Sequence, residues 1–265
     1  MMDRTRSVDW VREGAVAYLF LNRPAESNAL TAGLLDRLLH LLDRAANDES
    51  VRVIVLAGRG DVFCAGVDPG ARKPDRRSPA PDLSRILAEA VTPVVLRLRE
   101  IERPVIAAAH GVAAGAGVGL LAAADIAIAE RGTRFALDQI GMGLAPEAGA
   151  SWFLPRLIGL ARTRALAMTG EVFEADEARE QGLIWRVVEE GTLMEAAGAL
   201  AQELAGRPPQ TLSLVKRMLE ATTVASLEEQ LQVEANVQRR LGRTEDHREA
   251  AAALAEGRTP VFRGK

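Results

Sequence analysis

Apolar and polar positions change their period several times along this chain, and each change marks an element. Val8 to Arg12 and Ala15 to Leu21 are β-rich runs on either side of Glu13-Gly14, which predicts a hairpin. Asn22-Arg23-Pro24 stops the second strand. Leu34, Leu35, Leu38, Leu39 and Leu42 then recur at helical spacing, with Thr31 placed to cap that helix. Val51 to Ala57 is a buried strand ended by Gly58. Leu83 to Ile101 returns to an amphipathic helical pattern. Val105 to Ala109 and Ile126 to Ala129 are short apolar runs of strand type. Strand, loop, helix and strand in this order predict parallel β-α-β wiring. Phe135 to Gly143 is a further segment. Ala148 to Gly159, Ala161 to Gly170 and Ala175 to Gln181 read as helices, and Leu183 to Val188 as a strand. From Thr192 onward the pattern is helical throughout, over 192–205, 208–222, 226–241 and 244–256, with Pro208 at a helix start where proline is tolerated. The chain thus divides into a mixed α/β part, 1–191, and an all-helical part, 192–265.

Between the two strand runs lies Gly111, followed by Gly115, Ala116, Gly117 and Gly119. Glycines at this density let a ligand approach bare backbone N–H groups, and the next helix adds unpaired donors at its N-terminus. On pattern alone they serve close helix packing as readily. Pro104 to Ala124 carries no formal charge, but it is alanine and glycine rather than leucine, with His110 in its middle, which argues against a membrane span. Gly115 and Gly117 give G-x-G, yet Leu120 stands where a dinucleotide fingerprint needs its third glycine.

Composition narrows the choice of function. With 33 basic and 36 acidic residues and 4% aromatics, there is no electrostatic or stacking case for nucleic acid. The single cysteine, Cys64, excludes an internal disulfide framework and fits a reducing, cytoplasmic compartment. Met1 to Arg12 lacks the apolar core of a signal peptide. His40, His110 and His247 lie far apart, so no metal site is expected. His110, ending a buried strand, is expected to satisfy a core hydrogen bond. Arg72, Lys73, Arg76 and Arg77, in a Pro- and Arg-rich loop, could meet ligand phosphates or simply stand in solvent.

Taken in order, several motifs resemble the crotonase superfamily, the enoyl-CoA hydratase/isomerase family. They are Asn22-Arg23-Pro24 with Asn28-Ala29-Leu30, Phe63-Cys64-Ala65-Gly66-Val67-Asp68, the Gly/Ala run at 111–119, Pro146-Glu147-Ala148-Gly149-Ala150-Ser151, Leu154-Pro155-Arg156, and the C-terminal Pro260 to Lys265. The resemblance implies an α/β fold, a crotonase-like ββα spiral core with a C-terminal all-helical trimerisation region, as a homotrimer or a hexamer built from two trimers. It implies an acyl-CoA thioester substrate, with coenzyme A as part of the substrate and no separate cofactor, nucleic acid or membrane partner.

By the same resemblance, the backbone N–H groups of Val67 and Ala116 hold the thioester oxygen as an enolate forms, each donor worth about 3–4 kcal/mol in the transition state. Many members have glycine where Ala116 stands. Ala65, Gly66, Asp68, Gly115, Asn28 and Leu30 are implied to shape the substrate site, and Phe262 and Lys265 to reach the coenzyme A nucleotide. The two acids of the hydratases match Gly119 and Gln139, neither of which ionises, so water addition lacks its usual pair. Glu147 matches the single carboxylate of many double-bond isomerases. From spacing alone it serves equally as a first-turn acid for the following helix. The expectation is an isomerase with Glu147 as its acid/base. The alternatives are a hydratase or other crotonase-type activity using Asp138 or Glu147 with water, and an acyl-CoA-binding protein depleted of chemistry.

Overall fold

The computed structural model of the protein describes residues 7–72 and 83–265. The hairpin forms as β1 (Val8–Glu13) and β2 (Val16–Leu21), antiparallel, and Thr31 caps α1 (Ala32–Asn47) by accepting from Leu34 N at 3.2 Å. Then come β3 (Val53–Gly58), α2 (Leu83–Ile86), a π-helical stretch (Leu87–Val91) and α3 (Thr92–Glu100). The expected single helix over 83–101 is therefore interrupted by wider turns, and Pro93 sits near the start of α3. Next are β4 (Val105–Ala109), β5 (Val112–Ala114), α4 (Ala116–Ala123), β6 (Ile126–Glu130), β7 (Arg134–Ala136) and a 3-10 turn (Asp138–Met142). They are followed by α5 (Ala150–Leu157), α6 (Leu160–Thr169), β8 (Val172–Glu174), α7 (Ala175–Gln181) and β9 (Arg186–Val188). Four helices close the chain: α8 (Leu193–Ala205), α9 (Pro209–Ala221), α10 (Leu227–Leu241) and α11 (Glu245–Glu256).

The main sheet has the order β1-β2-β3-β4-β6-β9 and is parallel from β2 onward. A small sheet, β5-β7-β8, stands beside it. Side-chain alternation gives the main sheet two buried faces. Leu19, Leu21, Ile54, Leu56, Ala107 and Ala129 face the layer built by α1, α3 and α4. Tyr18, Val53, Val55, Ile106 and Ile128 face α8 through Leu193, Ala197, Leu200 and Ala201. The first helix beyond residue 191 thus covers one face of the sheet.

Parallel strands put β3 and β4 C-terminal ends at the same edge, where ligands of open α/β sheets usually bind. The segments leaving that edge are the 59–68 loop and residues 110–115, which include β5. At the other end of β4, Asp125 accepts Val105 N (2.8 Å) and pairs with the buried Lys216 (2.9 Å), tying α9 to the junction of α4 and β6. Burial pushes the Lys216 ammonium below its ordinary range, while Asp125 holds it up.

Candidate active site

The 59–68 loop is held from both sides. Leu30 lies in a short parallel bridge with Val67, through Leu30 N to Gly66 O (2.7 Å) and Asp68 N to Leu30 O (2.9 Å). Such a bridge uses the groups flanking Val67, so the N–H of Val67 itself faces away from Leu30. On that other side stands the start of α4. Gly66 has φ +92°, and a Cβ built on it would lie 3.3 Å from Ala116 N and 3.1 Å from Ala114 O. A Cβ on Gly117 would lie 2.4 Å from Cys64 O. Only glycine permits both approaches, and their result is that the Gly66-Val67 turn and the Gly115-Ala116 turn meet.

Ala116 opens α4, so its N–H has no acceptor within the helix. Gly115 takes the left-handed backbone (φ +53°), while Ala116 lies outside that region. Alanine at 116 is therefore unstrained, and its N–H is presented as a glycine's would be. Among the described residues neither Val67 N nor Ala116 N has a hydrogen-bond acceptor. Unpaired backbone donors beside a helix N-terminus favour negative charge.

The other expected contacts separate into those at the turn and those that brace it. Ala65 is exposed, and its N–H donates to Ser27 O at 3.0 Å. Asn28 is fully buried; its Oδ1 accepts Arg23 N (2.8 Å) and its Nδ2 donates to Arg59 O and Val62 O (2.9 and 2.8 Å). The Asn28 side chain thus joins two loops instead of reaching substrate. Asp68 likewise pairs with Arg23 (3.0 Å) and accepts Gly70 N (2.7 Å), so its carboxylate fixes loop shape. The Leu30 side chain lies in the core. Cys64 is buried too, and burial pushes its thiol up to about 12, which leaves it protonated and unreactive. His110 meets Gly60 O at 2.7 Å, but this bond is exposed and not the core bond expected of it.

Phe262 and Lys265 lie elsewhere in the chain's own fold. Phe262 O accepts from Arg52 at the start of β3 (2.8 Å), and Lys265 O accepts Glu245 N (2.7 Å) at the start of α11. The 63–68 motif follows the opposite end of β3. Six strand residues span roughly 20 Å, so the chain does not bring its tail to its own Val67–Ala116 turn. Lys73, Arg76 and Arg77 and the Arg72 side chain lie outside the described residues.

One segment brings polar groups to the turn, and a second packs against α4 behind it. The first is the 3-10 turn after β7. A Cβ built on Gly115 would lie 3.4 Å from Asp138 Oδ1 and 3.3 Å from Gln139 Nε2. Asp138 is exposed, whereas Gln139 is 1% exposed. Among the described residues neither Gln139 Oε1 nor Nε2 has a partner. Leaving such a group unsatisfied typically costs about 1–3 kcal/mol.

The second segment carries Glu147, which is half-buried. The next residue, Ala148, has φ +55°, uncommon for a residue with a side chain. It is pressed onto α4: a Cβ at Gly119 would meet Ala148 O at 2.4 Å and Ala148 Cβ at 2.7 Å. The space a side chain at 119 would need is therefore filled by the loop that carries Glu147. Beyond Ala148 and Gly149 a cavity of about 890 Å³ opens between α3, α5 and α9, walled by Leu87, Val91, Val95, Trp152 and Phe153. Arg99, Glu100, Arg217 and Glu220 also line it. No group of three or more His, Cys, Asp or Glu able to hold a metal occurs among the described residues, and no described helix is long and apolar enough to cross a membrane.

Residues 11–265 match the sequence profile of the enoyl-CoA hydratase/isomerase family. The chain is similar to the 1,2-epoxyphenylacetyl-CoA isomerase of Escherichia coli K12, with 39% identity over 96% of this chain and 97% of that one. It is also similar to the 2,3-dehydroadipyl-CoA hydratase of the same organism, with 33% identity over 96% and 97%. The crystal structure of an enoyl-CoA hydratase from Bacillus anthracis superposes with a TM-score of 0.92 at 30% identity, covering 98% of this chain and 100% of that one.

Proposed function

This chain belongs to the enoyl-CoA hydratase/isomerase family, and from that premise we propose that it moves a double bond in an acyl-CoA, from the 3- to the 2-position, using one carboxylate. The observation that carries the proposal is the meeting of the Gly66-Val67 and Gly115-Ala116 turns while both hydratase acid positions are disabled. Gly119 has no room for a side chain, and Gln139 cannot ionise.

The thioester oxygen accepts from Val67 N and Ala116 N. Glu147 takes a proton from C2, and the electrons pass through the thioester into a dienolate whose charge rests on that oxygen. Glu147 then returns the proton to C4, which leaves the double bond conjugated. One group suffices because it acts in turn as base and acid. Coenzyme A enters as part of the substrate, and no further cofactor takes part. A second reading places the base at Asp138, favoured by its Oδ1 lying against Gly115. A hydratase using either carboxylate with water is the alternative reaction.

Paired ultraviolet traces test this. With a 3-enoyl-CoA the conjugated-thioester absorbance should rise; with a 2-enoyl-CoA it should hold steady. Loss of absorbance in the second cuvette would mean water addition and end the isomerase proposal.

The protein is further proposed to work as a homotrimer or a hexamer in the cytoplasm. Support comes from α10, which buries none of its residues and leaves Leu227 and Leu231 at 77% and 54% exposed. Sedimentation at three or six times 28.4 kDa is the expected result, and a monomer would refute it.

A further inference from the structure

A peptide unit is planar, with its C=O and N–H pointing in opposite directions, so whatever holds the carbonyl also aims the amide. The N–H of Val67 shares its peptide unit with the C=O of Gly66. That carbonyl accepts Leu30 N at 2.7 Å. The N–H of Leu30 in turn shares its unit with the C=O of Ala29, and Ala29 O accepts Nη1 of Arg23 at 2.6 Å. Two peptide units therefore run head to tail from a guanidinium to Val67 N, and both joining hydrogen bonds are short. The unit that carries Ala116 N is built differently. Its carbonyl, Gly115 O, accepts Val118 N at 3.1 Å in the first turn of α4, and the helix supplies positive potential there. Val67 lies outside any helix, and the relay from Arg23 stands in the helix's place.

Hydrogen bonds in series polarise one another, and a charged donor makes a bond about twice as strong as a neutral one. The Arg23 side chain is 17% exposed, so water screens it weakly. Asp68 Oδ2 lies 3.0 Å from the same Nη1, and Glu26 Oε2 lies 3.9 Å from Nε. These carboxylates hold the guanidinium against Ala29 O and offset part of its charge. Asn28 Oδ1 accepts Arg23 N at 2.8 Å, which fixes the backbone that carries the side chain. We propose that Arg23 is a positioning residue for the reaction, aiming and polarising the Val67 N–H through two peptide units so that this donor holds a developing oxyanion more strongly. The inference rests on the acyl-thioester reading above.

The test compares the full-length wild type with Arg23→Met, Arg23→Gln and Arg23→Lys. The probe is butyryl-CoA carrying carbon-13 at its carbonyl, a saturated thioester with no double bond to move. Isotope-edited infrared difference spectra read its C=O stretch, which falls as donors to the oxygen strengthen. Binding to the wild type should lower the stretch. Arg23→Met and Arg23→Gln should lose part of that shift, and kcat on a 3-enoyl-CoA should fall about tenfold, the ratio between a charged donor and a neutral one. The dissociation constant of butyryl-CoA should stay within about threefold, because the relay acts mainly on charge that develops during the reaction. Arg23→Lys, which keeps a cation within reach of Ala29 O, should recover most of both effects. An unchanged stretch in folded Arg23→Gln, or an Arg23→Lys no better than Arg23→Gln, would overturn the inference. So would loss of the fold in both Arg23→Met and Arg23→Gln, which would make Arg23 a brace and nothing more. Failure of butyryl-CoA to bind the wild type, or to shift its stretch there, would instead overturn the acyl-thioester reading, and this inference with it.

Discussion

Glu147→Gln should slow turnover of a 3-enoyl-CoA by about a thousandfold, within the 10²–10⁴ range usual for a general acid/base. The substitution keeps shape and removes the capacity to accept the C2 proton. It leaves Val67 N and Ala116 N in place, so affinity for an unreactive acyl-CoA should stay within about threefold of the wild type. A fall in kcat without a fall in binding is the signature of an interaction made only as the reaction proceeds. Asp138→Asn is the necessary companion, because its carboxylate oxygen lies against Gly115 at the turn. Its turnover should stay within about tenfold of the wild type. The reverse pattern, with Asp138→Asn inactive and Glu147→Gln active, would move the base to Asp138. Both variants remaining active would end the single-carboxylate mechanism.

The second large effect concerns Gly119. Restoring a glutamate there should destabilise the protein instead of creating a hydratase. The new Cβ would lie 2.4 Å from Ala148 O and 2.7 Å from Ala148 Cβ, and neither atom sits at the end of a flexible side chain. Every residue of α4 is buried, so the carboxylate would also lack water. Overpacking of this kind costs about 1–3 kcal/mol, and a buried unpaired charge adds to it. A total loss of about 4 kcal/mol in urea unfolding is expected for Gly119→Glu, with less for Gly119→Ala. A stable Gly119→Glu protein that hydrates a 2-enoyl-CoA would show that the 147–149 loop yields, and would sink the argument that packing has closed this position.

Much of this site could be read from sequence, but unevenly. The glycines at 115 and 117 signalled bare backbone, Gly66 entered only through the family motif, and the structure brings those turns together. The residues that brace the loops were harder to read. Asn28 and Asp68 are polar residues inside binding motifs, and a sequence cannot distinguish a side chain that touches substrate from one that ties two loops together. Both uses favour a short polar residue near a turn. At Gly119 the missing side chain was plain, while the atoms that replace it come from a loop 29 residues further on and required coordinates. Ala148 gave no signal, because its left-handed backbone is imposed by packing against α4 and not by its own preference. The same limit applies to Leu87–Val91, whose apolar spacing reads as ordinary helix although the chain widens there into π turns. Phe262 and Lys265 were assigned by resemblance, which carries a motif but not the distance between that motif and the site in one chain.

In the proposed mechanism Val67 and Ala116 contribute main-chain N–H groups, which bears on how such a protein can change over generations. Every residue except proline carries that group, so a coding change at either position retains the donor as long as the turn survives. The selective burden falls instead on Gly66 and Gly117, which let the turns meet. The carboxylates sit on separate segments, at 138 and 147, and can be gained or lost one at a time without dismantling the anion site. On that mechanism a lineage can exchange one reaction for another by single substitutions while its means of holding the thioester oxygen stays constant.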